Sequence, residues 1–274
     1  MKKILILGSK GELGKKIIKI FQKDKNLKIY TDKLLKNKSS KNYINLIINS
    51  SAQINIILNL VGYSGKSREK LRESNFRFTR MIVETLNSLK NKNIKLIHLS
   101  TVGVLDLQNN KENKYKANNY YEYTKIISEK LITSKNNNFN YLIIRAAALH
   151  DLQMSNFKKN LQNIFLFKKY LFVFNQDSRV YFTNVTDLVD LIRKMIKGSK
   201  KNKIFNISEN VTVKNYLKKI KKQNIKIIIF NYLIYNTIKT FSSINSFLNF
   251  ILDNKFFKYF WLFNSIKILK KNYE

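Results

Sequence analysis

Lys2-Lys3-Ile4-Leu5-Ile6-Leu7-Gly8-Ser9-Lys10-Gly11-Glu12-Leu13-Gly14 opens the chain, and an amphipathic pattern follows it over residues 15–24. The apolar run ending at Leu7 reads as a buried strand, and the three-and-four spacing beyond Gly14 reads as a helix. The glycines therefore lie in a strand-turn-helix context. There Gly8 lets the chain turn sharply off the strand, Gly11 lets backbone amides approach a ligand, and Gly14 lets the helix pack on the sheet. The helix N-terminus then presents free N–H groups and partial positive charge to an anion. Three of the chain's seven glycines fall in this one turn. The arrangement points to a dinucleotide pyrophosphate, with Gly8, Gly11, Leu13 and Gly14 as the expected contacts.

The alternation continues downstream. Residues 27–32, 54–61, 94–99 and 141–145 read as further strands, and 68–90 and 120–134 as amphipathic helices that pack on a sheet. Residues 33–53 should hold a strand and a crossover helix, of which only a helix around residues 43–48 is legible. This is the pattern of an α/β chain with a Rossmann-type doubly wound parallel sheet over residues 1–150. Asp32 closes the second strand, close to the ~20-residue offset at which a carboxylate accepts hydrogen bonds from a ribose diol, which favours NAD. Lys33 beside it suits a 2′-phosphate, so NADP stays open.

After Arg145 the rhythm changes to a basic, aromatic segment at 157–174, a pattern at 180–197, a strand at 203–207 and a final apolar region. Residues 151–274 are expected to form mainly a smaller C-terminal substrate-binding lobe with C-terminal helices, while residues 180–210 return a strand and a helix to the first domain. No Pro- or Ser-rich linker separates the halves, so one globule with a substrate cap is expected.

Composition sets outer limits. The chain has 274 residues and no cysteine, which excludes disulfides and thiol chemistry and makes a reducing cytoplasm its natural setting. No apolar run reaches the roughly 18 residues that cross a bilayer. A net charge of +35 attracts polyanions. The over-used residues, Lys, Asn, Ile, Phe and Tyr, also share A/T-rich codons, and the lysines are spread along the chain instead of forming one arm. No specific nucleic-acid partner and no metal site is therefore expected. Peripheral membrane contact is not predicted, although the aromatic stretch at 231–263 leaves it open, and that stretch also suits core and cap helices or a homodimer face.

A second constellation carries chemistry. His98-Leu99-Ser100-Thr101-Val102-Gly103 ends a strand, and Tyr120-Tyr121-Glu122-Tyr123-Thr124-Lys125 opens the next helix. Tyr121 and Lys125, four residues apart, share a helical face and can point together into the cleft above the sheet. An ammonium beside a phenol should lower the phenol's pKa and make it an acid/base near neutral pH. Thr101 on the neighbouring strand end can hold the same substrate oxygen.

The glycine spacing, the Ser/Thr pair and the Tyr-xxx-Lys together resemble the extended short-chain dehydrogenase/reductases, and within them the NAD-dependent epimerase/dehydratase branch that acts on nucleotide-sugars. The likeness spans residues 1–210. It implies catalysis by Thr101, Tyr121 and Lys125, with Lys125 also contacting the nicotinamide ribose and Ser100 near the substrate. Asn59-Leu60-Val61-Gly62 is similar to the family's strand end near the cofactor, which adds Asn59 and Val61 to the binding set, and Asn75 matches a common family Asn. Arg179 stands close to where relatives grip the nucleotide diphosphate. Asp187 is expected to be an N-cap, and His98 and His150 to be non-catalytic.

Two departures narrow the subtype. Ala146-Ala147-Ala148-Leu149-His150 replaces the family's Pro and Gly after Arg145, and Val102-Gly103 stands where sugar-nucleotide dehydratases place an acid pair. Dehydration is disfavoured. The resemblance then implies an NAD(P)-dependent nucleotide-sugar epimerase or 4-keto-reductase, working in cell-surface polysaccharide synthesis. The alternatives are a catalytically silent dinucleotide-binding module and a basic scaffold.

Overall fold

The computed structural model describes residues 1–32, 39–89, 93–106, 111–151, 170–173, 179–212, 215 and 226–229. The apolar region at 231–263 and most of the segment at 157–174 lie outside the described residues.

Six parallel strands form the central sheet: β1 (Lys2–Leu7), β2 (Leu27–Thr31), β3 (Ile56–Asn59), β4 (Lys95–Thr101), β7 (Asn140–Ala146) and β11 (Lys203–Ile207), in the order β11-β7-β4-β3-β1-β2. The chain leaves β1 for β2 on one side, then returns past β1 to β3 on the other. The strand order thus reverses at β1/β3, and the crevice at a sheet's carboxyl edge opens at such a point.

Alternate residues of each strand feed two cores. Ile4, Ile6, Ile56, Leu58, Ile97 and Ile144 face α1 (Glu12–Phe21) and α6 (Val185–Lys197). Leu5, Leu7, Ile57, Leu96 and Ile143 face α2 (Ser40–Ser51), α4 (Phe78–Ser88) and α5 (Tyr120–Ile132). Strands buried on both faces are what a parallel sheet covered by helices requires, and this is why they read as continuous apolar runs.

Three sequence expectations need correction. The strand expected within 33–53 is not present among the described residues of that stretch, where α2 alone makes the crossover from its Ser39 cap. The helix expected over 68–90 is interrupted: α3 (Arg68–Leu71) runs into a π-helical turn, Arg72–Arg77, before α4. The N-cap of α6 is Asn184, whose side chain accepts from the Thr186 amide at 3.1 Å, and Asp187 lies inside the first turn.

Beyond β7 a small sheet forms from β8 (Ala148–His150), β10 (Arg179–Asn184) and β12 (Glu209–Thr212), and β9 (Tyr170–Val173) pairs with β13 (Lys226–Ile229). Thr183 stitches this sheet to the central one, accepting from the Ala147 amide at 2.8 Å and donating to the Ile207 carbonyl at 2.5 Å. The hairpin β5 (Leu105–Asp106) and β6 (Lys111–Tyr115) follows β4. Among the described residues no helix is long and apolar enough to cross a membrane.

Candidate active site

The glycine turn lies at the carboxyl edge of β1 against the chain leaving β3. Gly8 has φ +86°, and a Cβ there would meet the Leu60 carbonyl carbon and the Val61 nitrogen at 3.0 Å. A Cβ on Gly14 would stand 2.3 Å from the Gly8 carbonyl oxygen, so only glycine lets α1 lie this close to the loop. Gly11 caps α1 with no side-chain hydrogen bond, which leaves the first-turn amides of the helix to a ligand. Leu13 contributes its side chain to the core, so any contact it makes runs through its backbone.

Asp32 is placed differently from the sequence expectation. It is 2% exposed, and its carboxylate accepts from the Gly8 amide (3.0 Å), the Ser9 amide (2.9 Å), the Ser9 hydroxyl and the Tyr43 hydroxyl (3.1 Å). It holds the glycine turn from within.

Asn59 is also turned inward. Its amide nitrogen donates to His98 Nδ1 at 3.0 Å, and its oxygen accepts from the Val61 amide at 3.1 Å, which fixes the strand-end loop beside Gly8. Full burial holds His98 well below the usual imidazole pKa, and it stays neutral. Val61 packs its side chain on the core.

The structure sets Thr101 and Tyr121 side by side, with Lys125 one helical turn further along α5. Asn119 caps α5 by accepting from the Glu122 amide at 2.9 Å, and this sets Tyr121 in the first turn, half-buried, with its hydroxyl beside Thr101 at the end of β4. One turn on, Lys125 is 4% exposed and its Nζ donates to the Leu99 carbonyl at 3.0 Å. Gly62 lies against it, since a Cβ there would be 3.5 Å from Nζ. The same Tyr-xxx-Lys spacing recurs at Tyr235 and Lys239, outside the described residues.

The electrostatics differ from the sequence expectation. Tyr121 is pushed up to about 12, first by burial and then by the Glu122 carboxylate, with the Thr101 side chain opposing. The Lys125 ammonium, directed to the Leu99 carbonyl, does not lower it. Burial pulls Lys125 itself down to about 8, against the Glu129 carboxylate.

Two supports escaped the sequence reading. Glu129, fully buried on α5, takes Arg145 through Nε at 3.1 and 3.0 Å and Nη2 at 2.6 Å, together with the Tyr115 hydroxyl at 2.9 Å and the Ser100 hydroxyl. Ser100 is thus directed to Glu129 and not to the groove. A charged Arg145 ending an otherwise apolar strand is the signal that could have revealed this pair, since a buried guanidinium needs a carboxylate. The second support is the π-helical turn. There Asn75 Oδ1 accepts from the Tyr63 amide at 2.9 Å, Nδ2 donates to the Thr124 hydroxyl at 3.0 Å, and the Asn75 carbonyl accepts from Ser128 and Thr79. The widened turn frees that carbonyl to tie α4 to α5. Arg179 lies on β10 opposite Thr212, and its side chain is outside the described ones.

Solved structures share this fold. A dTDP-4-dehydrorhamnose reductase of Bacillus anthracis in complex with NADP superposes with a TM-score of 0.67 at 20% identity, covering 86% of each chain. A UDP-glucuronic acid 4-epimerase of Bacillus cereus in complex with NAD gives 0.63 at 18% identity, covering 84% of this chain and 87% of that one. RMD of Pseudomonas aeruginosa complexed with NADPH gives 0.65 at 13%, covering 84% of each. No curated protein sequence matches. The family described as RmlD substrate binding domain matches residues 1–217, most of the chain. With the motifs, the fold and this match in agreement, the chain belongs to the RmlD substrate-binding domain family.

Proposed function

We propose that the chain is an NAD(P)-dependent reductase of 4-keto nucleotide-sugars, with Tyr121 as proton donor, Thr101 as partner to the substrate oxygen and Lys125 as the buried cation behind them. The observation that supports this reading is the placement of the Tyr121 hydroxyl beside Thr101 at the carboxyl edge of β4, with Lys125 buried one helical turn on.

The glycine turn fits a dinucleotide: an uncapped helix N-terminus meets two positions where any Cβ would strike backbone. Gly8, Gly11, Gly14 and the amides opening α1 would hold its pyrophosphate, and Lys125 its nicotinamide ribose. When bound, it supplies the hydride. The chain's own residues then govern the proton. A ketone oxygen placed between Thr101 and Tyr121 gains negative charge as hydride arrives at its carbon, and the Tyr121 hydroxyl donates its proton to that oxygen. A phenol pushed up to about 12 is fully protonated at neutral pH, which suits this acid role.

Epimerisation would draw on the same residues, its first half needing a phenolate to take a proton. That reaction stays as the second reading because the B. cereus neighbour is named a 4-epimerase. Dehydration lacks its acids, since Val102 and Gly103 occupy those positions. The segment after Asp151, with Arg179, is proposed as the substrate lobe that grips the diphosphate, and cell-surface polysaccharide synthesis as the setting.

The test is a panel of UDP- and dTDP-linked 4-keto-sugars and sugars, with NADH and NADPH, followed by absorbance and mass spectrometry. Consumption of reduced dinucleotide by a 4-keto-sugar is expected, and Tyr121→Phe should lower kcat by about 10²-fold or more with dinucleotide Kd unchanged. Unchanged turnover in Tyr121→Phe would refute the assignment. Dinucleotide binding with silence across the panel would leave a binding module.

A further inference from the structure

Gly103 has no backbone reason to be glycine. It lies in the short helical turn Val102–Val104 that follows β4, and its φ is outside the left-handed region. What opposes a side chain there is Glu122: the three atoms nearest a Cβ at position 103 would be its Oε1 at 3.0 Å and its Cδ and Cγ at 3.3 Å. An acid in the first turn of a helix ordinarily reaches back to amides at its own helix start. Glu122 does this with Oε2, which accepts from the Asn118 amide at 2.6 Å. The rest of the side chain crosses to the turn after β4, and burial between the two pushes its carboxyl above the usual pKa. The Gly103 amide in turn donates to Thr101 Oγ1 at 3.2 Å, and Tyr121 is the neighbour of Glu122 in the chain. A closed ring thus runs through Thr101, Gly103, Glu122 and Tyr121.

We infer that Glu122 is a positioning residue for the proposed proton transfer: its side chain, seated in the hollow that Gly103 leaves, clamps the Thr101 turn to the start of α5 and sets the spacing between the Thr101 and Tyr121 hydroxyls. Between those two residues the chain makes the β5–β6 hairpin, so covalent connection does little to fix their separation. Packing must do it, and a misplacement of about 1 Å can lower a rate by on the order of 10²-fold. Glu122 acts through its two neighbours, by shape and by its bond from Asn118, and Gly103 is the space that admits it.

This inference rests on the roles proposed above for Thr101 and Tyr121, and the experiment separates the two. Turnover of a 4-keto-sugar is measured for the full chain, Glu122→Gln, Glu122→Ala, Gly103→Ala and the double variant, and amide hydrogen exchange at Gly103 and Asn118 is followed without ligand. Glu122→Gln keeps the length and the acceptor, so its kcat should stay within about twofold of wild type. Glu122→Ala should lower kcat about tenfold, with KM for the sugar and dinucleotide Kd little changed. Gly103→Ala should lower kcat about three- to tenfold by displacing the carboxyl, yet add no further loss to Glu122→Ala, where the methyl enters vacated space. Exchange should speed at Gly103 in Glu122→Ala and at Asn118 in Gly103→Ala. Multiplying losses in the double variant would overturn the inference, as would Glu122→Gln as slow as Glu122→Ala or exchange unaltered at the opposite partner. If no 4-keto-sugar is turned over, the functional reading falls, while the exchange measurements still decide whether Glu122 clamps the turn.

Discussion

Lys125 shows how one residue can cost stability and serve chemistry. Its ammonium is buried against a single carbonyl, and its pKa falls from 10.5 to about 8. A lysine with a depressed pKa binds fewer protons folded than unfolded between those values, so stability rises with pH across that window and is reduced at neutral pH. The shift corresponds to about 3 kcal/mol. Lys125→Met should therefore raise stability at pH 7 by about 1–3 kcal/mol in denaturant unfolding while abolishing turnover, the exchange expected of a site that needs a strained charge. In the wild-type enzyme kcat/KM should fall as pH rises through about 8, where the cation is lost; a rate level to pH 10 would remove Lys125 from the mechanism. Glu129 presents the opposite case. Glu129→Gln leaves Arg145 buried without its counter-charge, and a loss of about 3–5 kcal/mol is expected by thermal or denaturant unfolding.

At the level of elements, the site is the meeting of three carboxyl ends, those of β1, β3 and β4, with the N-termini of α1 and α5. Each junction depends on close backbone approach. Gly14 is the tightest, with α1 resting on the Gly8 carbonyl. Gly14→Ala should push α1 off the sheet edge, weakening dinucleotide binding by about tenfold or more in fluorescence titration and lowering Tm, because an added methyl there has only backbone to displace. The π-helical turn around Asn75 belongs to the same level. It joins α4 to α5 through Thr124 and Ser128, and so holds the helix that carries Tyr121 and Lys125.

Across the whole molecule, charge is the dominant feature. With +35 on 274 residues, the proposed substrate, a doubly charged nucleotide-sugar, would be drawn to the protein before any contact forms. Raising salt from about 20 to 300 mM should reduce kcat/KM for that substrate several-fold through KM, with kcat little changed, since exposed charges beyond a Debye length are screened. A salt-independent KM would assign the charge to composition alone.

Local pattern is enough to read the outline: apolar runs mark five of the six sheet strands, residues 203–207 mark the sixth, and glycine spacing marks the turn between β1 and α1. These features are periodic or adjacent in the chain, where sequence carries direct information. The commitments of polar atoms were hidden because they depend on residues far apart. Asp32 turned to Gly8 and Ser9, Ser100 and Arg145 to Glu129, and Lys125 to Leu99, each across at least 16 residues. A carboxylate at a strand end is equally compatible with a ribose or with its own loop. Which partner it takes is settled by burial, since a polar atom removed from water bonds whatever donor the fold has already brought within reach.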